Sequence, residues 1–174
     1  MQLYLKLENS SGIISSSLVT SDKIIASKSK ITDDGLCHLT TNNVEVVLAS
    51  DIVILAVKPA VIGIVLAELT SKLTNDELRS KLFISIAAGV SLETLEEKIQ
   101  GVSFIRVMPN TPCCVGECAA AYSPGSHATP AHKLACEAIF KSVGIISEVS
   151  ESLMDGVTGL SGSGPACKED NCFI

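Results

Sequence analysis

Two uninterrupted apolar runs limit what this chain can become. IVILAV at 52–57 and LFISIAAGV at 82–90 carry no charged side chain and are rich in β-branched residues. Both are far shorter than the roughly 20 residues that a membrane-spanning helix needs. A strand with one wet face alternates apolar and polar residues, whereas a strand buried on both faces of a parallel sheet does not. The runs therefore predict inner strands over 52–57 and 81–87. SFIRV at 103–107 predicts a third strand, and 145–149 a last one.

The text between these runs is helical. NVEVVLAS at 43–50 follows Thr41 and Asn42, either of which can cap its start. Residues 60–73 place Val61, Ile64, Val65 and Leu69 at helical spacing. Ser91 precedes LETLEEKI, where Leu92, Leu95 and Ile99 make one stripe and the glutamates suit a helix N-terminus. Residues 131–143 form an amphipathic pattern with Gly144 as its stop. Strands alternating with helices predict an α/β unit built on a parallel sheet. Residues 1–20 are serine-rich and read as irregular, while 23–27 reads as a short strand.

Composition narrows the function classes. A chain of 174 residues can bury about 70% of its unfolded surface, so it needs no staples. Its hydrophobic fraction is 47% and its mean hydropathy +0.41. The net charge of −6, without a basic cluster, argues against a nucleic-acid partner. Lys6 and Glu8 interrupt any apolar leader, so no export signal is expected. The seven cysteines are odd in number, which fits a reduced cytosolic setting better than a disulfide framework. Cys114 and Cys118 lack the spacing and company of zinc ligands, so no metal is expected. His38, His127 and His132 read as isolated loop residues, and Glu148 with Glu151 as a solvated acidic face. No nucleophile–base arrangement can be assembled.

Ligands of open α/β sheets bind outside the carboxyl ends of the strands. Three such ends carry unusual text: AVKP at 56–59, AAGV at 87–90 and MPNTP at 108–112. Small residues let a flat or phosphorylated ligand lie on the backbone, and a lysine there serves an anion. A fourth run, TGLSGSGPA at 158–166, is costly to order because of its glycines, yet its apolar residues make it a poor linker.

DIVILAVKP, ISIAAGVSLETLEEKI, RVMPNTP and MDGVTGLSGSGPA, in this order, closely resemble pyrroline-5-carboxylate reductase over roughly residues 13–166. The resemblance implies a Rossmann-type fold, NADPH (or NADH) as cofactor, and reduction of the C=N bond of 1-pyrroline-5-carboxylate to give proline. It places Ala56, Val57, Lys58 and Pro59 beside the cofactor's ribose and phosphates, and Ala88 and Gly89 near the nicotinamide. Asn43 matches a contact to the adenosine end, and Ser27 and Lys28 the loop that selects a 2′-phosphate. Asn110 and Thr111 fall near the transferring hydride, and Glu151, Ser161 and Ser163 at the substrate. No side chain is implied as a catalytic acid or base.

Two departures accompany the resemblance. The family opens with a strand running into Gly-x-Gly-x-x-Gly, which cradles a pyrophosphate; here MQLYLKLENSSG stands instead, with Met1 to Leu7 as a substitute first strand. In the family the serine–glycine run leads into a helical domain that closes the substrate pocket and forms the dimer. Here CKEDNCFI follows. The expected organisation is an irregular segment over 1–20, a Rossmann-type domain incomplete at its first strand over 21–155, and a hinge remnant with a divergent tail over 156–174. The alternative function is an inactive, truncated isoform or fragment that binds cofactor weakly.

Overall fold

The computed structural model describes residues 3–5, 13–14 and 42–162. The strands are β1 (Leu3–Leu5), β2 (Ile13–Ile14), β3 (Ile52–Leu55), β4 (Leu82–Ser85), β5 (Ser103–Met108), β6 (Cys118–Pro124) and β7 (Gly144–Glu148), in sheet order β2-β1-β3-β4-β5-β6-β7. The helices are α1 (Asn43–Leu48), α2 (Pro59–Lys72), α3 (Asn75–Arg79), α4 (Leu92–Lys98), α5 (Pro130–Lys141) and the short α6 (Met154–Val157). Among the described residues no helix is long and apolar enough to cross a membrane.

The apolar runs form the parallel centre. β3 pairs with β4 and β4 with β5, both parallel, and Leu55, Ser85 and Arg106 stand side by side across the three strands. One face of this centre carries Val53, Leu55, Phe83 and Phe104, and packs against Val65, Leu66 and Leu69 of α2 and Leu95 of α4. The Phe83 and Phe104 rings lie 5.5 Å apart at 41°, one of the tilted arrangements that aromatic pairs favour. The opposite face carries Ile84, Ile105, Val107 and Tyr122 against Cys136, Ile139 and Phe140 of α5.

The sheet is mixed rather than wholly parallel. β6 runs antiparallel to β5, with Val107 opposite Tyr122. The connection between them holds only a 3₁₀ turn (Thr111–Val115), too short for the crossover that a parallel partner requires. β6 itself, Cys-Ala-Ala-Ala-Tyr-Ser-Pro, has no β-branched residue and shows no strand pattern in the sequence. Gly144 is not the helix stop: α5 ends at its cap Ser142, and Gly144 opens β7 beside β6. Within the serine-rich beginning, β1 and β2 pair antiparallel with each other, and β1 pairs antiparallel with β3. The strand expected over 23–27 lies outside the described residues.

Candidate functional site

The three strand ends gather at one edge of the sheet. After β3, Val57 is buried and Lys58 and Pro59 are exposed. Pro59 opens α2 with a backbone preset for a helix start, no side chain caps that end, and the Lys58 carbonyl accepts from the Val61 amide at 2.8 Å. The Ile86 amide donates to the Leu55 carbonyl at 3.1 Å, holding the β4 exit against the β3 exit.

After β4, Ala87 is buried while Ala88 and Gly89 are exposed. Gly89 adopts φ +73°, and a Cβ built on it would meet nothing within 4 Å. Its backbone therefore faces open space. Ser91 ends the turn and caps α4, its hydroxyl accepting from the Thr94 amide at 3.2 Å.

After β5, Asn110 is a structural junction as well as a strand-end residue. Its Oδ1 accepts from the Ala119 amide at 3.0 Å, and its Nδ2 donates to the Ser161 hydroxyl at 3.5 Å. Ser161 Oγ in turn donates to the Ala119 carbonyl at 3.3 Å. Thr111 is exposed at the head of the 3₁₀ turn. The 151–162 segment, of which Ser161 is part, lies across β5 and β6. Its own Met154 is fully buried, and Gly162 sits close against Met108.

Arg106 ties the other end of that segment down. Its side chain is 6% exposed; Nη1 donates to Glu151 Oε1 at 3.2 Å and Nη2 to Asp155 Oδ1 at 3.1 Å. The same Glu151 oxygen accepts from the Leu92 amide, in the first turn of α4, at 2.6 Å. Glu148 and Glu151 thus do not share a solvated face: Glu151 turns inward to Arg106, while Glu148 pairs with Lys133 at 2.6 Å. Arg106 and Asp155 are site-forming residues that the sequence reading did not single out. The available signal was one cationic letter inside SFIRV, an otherwise apolar strand.

Asn43 stands apart from this edge cluster. It is buried at the start of α1, where Asn42 caps by accepting from the Val44 amide at 3.1 Å. Its Nδ2 donates to Glu68 Oε2 on α2 at 2.8 Å. Glu68 is held below the usual carboxylate range, first by its bond to Lys72 and then by Asn43. Ser27, Lys28 and Ser163 lie outside the described residues.

The remaining polar candidates have structural partners. His132 closes a capping box with Thr129 at the start of α5, and His127 Nδ1 shares a hydrogen bond with the Ser126 hydroxyl at 2.9 Å. Burial pushes the Cys136 thiol up to about 12, which leaves it inert. Cys118 is buried and unbridged, and among the described residues no three His, Cys, Asp or Glu side chains gather as metal ligands.

A sheet with a parallel centre, flanked by helices, whose strand-end loops of small residues converge on one edge is a Rossmann-type dinucleotide-binding domain. The family model described as NADP oxidoreductase coenzyme F420-dependent matches residues 10–89. The pyrroline-5-carboxylate reductase of Methanosarcina acetivorans is 48% identical over 130 residues, covering 74% of this chain and 47% of the relative. The solved pyrroline-5-carboxylate reductase of Coxiella burnetii superposes with TM-score 0.74 at 32% identity, over 88% of this chain and 54% of that one. The Plasmodium falciparum pyrroline carboxylate reductase, solved with NADP bound, gives TM-score 0.69 at 36% identity over 78% and 50%. The chain belongs to the pyrroline-5-carboxylate reductase family. It spans about half the length of the curated relatives that it matches.

Proposed function

We propose that this chain is the cofactor-binding half of an enzyme that reduces 1-pyrroline-5-carboxylate to proline with NADPH or NADH. The observation that carries the reading is the convergence of the AVKP, AAGV and MPNTP ends on one edge, with the 151–162 segment fastened beside them through Asn110 and Arg106. The described residues fit a dinucleotide. The Gly89 backbone faces open space that a side chain would fill, Ala88 beside it is exposed, and the exposed Lys58 stands at an uncapped helix start.

In this reading Ala56, Val57, Lys58 and Pro59 hold the ribose and phosphates, Lys58 by charge, and Ala88 and Gly89 give the nicotinamide ring a flat floor. Asn110 and Thr111 border the reacting carbon. Asn43, buried against α2, supports the adenosine side, with Ser27 and Lys28 at the 2′-phosphate. The bound cofactor supplies the hydride. A protonated imine already accepts hydride well, so the chain's share is orientation, electrostatics and exclusion of water. Glu151, Ser161 and Ser163 form the substrate side. Residues 21–155 make the binding unit and 156 onward the hinge. The setting is the cytosol, with the mitochondrion as the alternative.

The test is oxidation of NADPH by the purified chain with 1-pyrroline-5-carboxylate, followed by absorbance and run beside a longer family member. A rate above background that is lost in Lys58→Ala supports the proposal. NADPH binding without turnover selects the inactive, cofactor-binding alternative. Failure of both overturns it.

A further inference from the structure

Arg106 is an unusual residue for its place. It lies in the centre of β5, on the same face as Phe104, where packing alone calls for an apolar side chain. A guanidinium taken out of water is tolerated only with hydrogen-bonded counter-charges. Both of its acidic partners come from one short stretch, Glu151 in a 3₁₀ turn and Asp155 in α6, and each is met by a separate nitrogen of the fork. Only arginine offers two diverging donors at fixed geometry; a lysine is a point charge. The two partners also differ, since Asp155 is 88% exposed while Glu151 is 33% exposed. The arginine therefore reaches from the sheet interior to the surface and brackets the segment in between.

Glu151 is fixed asymmetrically. Its Oε1 accepts from both Arg106 Nη1 and the Leu92 amide, whereas Oε2 has no hydrogen-bond partner among the described residues. Glu151 also lines two open cavities, one running from Leu92 along α4 to Gln100 and bordered by Gly125, the other between Leu92, Ser123 and Ser150. The far end of the same segment is held by Asn110 and Ala119 through Ser161. With both ends tied, the segment cannot roll, and the unshared oxygen of Glu151 keeps one position at the cavity wall.

We infer that Arg106 is a positioning residue: it fixes the Glu151 carboxylate and clips the 151–162 segment across β5 and β6. Its consequence for turnover rests on the reductase reading above, in which Glu151 borders the substrate; the clip itself does not. A fixed carboxylate oxygen is the group that meets the N–H of a small cyclic cation, so loosening the clip harms substrate binding and spares cofactor binding.

Two measurements on the purified chain test this. The first is hydrogen exchange by mass spectrometry of the wild type, Arg106→Met, Arg106→Lys and Asp155→Asn. In Arg106→Met, amides of 151–162 and of the first turn of α4 are expected to exchange about tenfold faster, while β3 and β4 amides do not change. Arg106→Lys and Asp155→Asn shift the same amides by less. No local change, or an equal rise throughout the sheet, overturns the clip. If Arg106→Met does not fold, Asp155→Asn and Arg106→Lys carry the same comparison.

The second is a double-mutant cycle on KM for 1-pyrroline-5-carboxylate. Arg106→Met and Glu151→Gln each raise KM by about tenfold, and together by little more than either alone, because one acts through the other. KM for NADPH stays constant. Additive effects, or a parallel rise in the NADPH value, overturn the positioning role. A wild-type chain without turnover removes the reductase reading, and the exchange experiment then decides Arg106 by itself.

Discussion

Gly89 and Gly144 both have positive φ, for opposite reasons. At Gly89 (φ +73°) the backbone turns and a Cβ would enter open space; at Gly144 (φ +154°) a Cβ would lie 2.1 Å from the Cys118 carbonyl oxygen. An alanine at 89 therefore meets only the intrinsic left-handed penalty, about 1–2 kcal/mol. An alanine at 144 must also separate β6 from β7, which adds the roughly 1–3 kcal/mol typical of overpacking and makes it the worse substitution. Urea denaturation of the two variants checks the order. NADPH titration adds a second contrast: Gly89→Val weakens binding while its fold survives. The turn at 89 was legible because AAGV follows a buried run. The role of 144 was not, because it depends on a strand on the far side of a helix, and no local pattern announces that neighbour.

At the scale of elements, the parallel strands were legible because burial on both faces leaves a continuous apolar text. Phe83 and Phe104 are fully buried in that centre, so Phe104→Ala should cost about 3–5 kcal/mol, seen as a lower denaturation midpoint with little change in slope. α3 is hard to read because four of its five residues are polar and Leu78 alone is buried; its capping box, not an apolar stripe, declares it. Thr74 accepts from the Glu77 amide and Glu77 accepts in return from the Thr74 amide at 2.7 Å. Thr74→Ala should remove about 1 kcal/mol, read as a small shift in the same midpoint. β6 was missed for a third reason. Its alanines are poor strand formers, and they adopt the strand because α5 covers one face and the 151–162 segment crosses the other. The strand-end loops of the site could be read locally; Arg106 with Glu151 and Asp155 could not, since the pairing joins the middle of one strand to a segment past β7.

The whole molecule carries a net charge of −6, and its carboxylates are not idle. Tyr122 is buried in the sheet with its hydroxyl 2.7 Å from Glu137 and 3.1 Å from Glu148; Lys141 and Lys133 close the chain at 2.7 and 2.6 Å. Desolvation first, and the two carboxylates next, push the Tyr122 hydroxyl well above its ordinary value, so its proton stays in place. Glu137 is held below the ordinary 4.5, first by Lys141 and then by Tyr122, and Glu148 is lowered chiefly by Lys133. Glu68 and Glu77 are lowered as well. A depressed carboxylate binds fewer protons in the folded chain than in the unfolded one. Its stabilisation is therefore complete above about 4.5 and lost as pH falls through the folded value. The denaturation midpoint should be flat near neutrality and drop as the solution is acidified past that point. In Glu137→Gln/Glu148→Gln the acid drop should be shallower but not abolished, because Glu68 and Glu77 still titrate. Added salt should blunt the wild-type drop, since these pairs are partly exposed and screened. An unchanged slope in the double variant would show that the Tyr122 network contributes nothing to acid sensitivity, leaving it to the contacts of Glu68 with Lys72 and Asn43 and of Glu77 with Thr74.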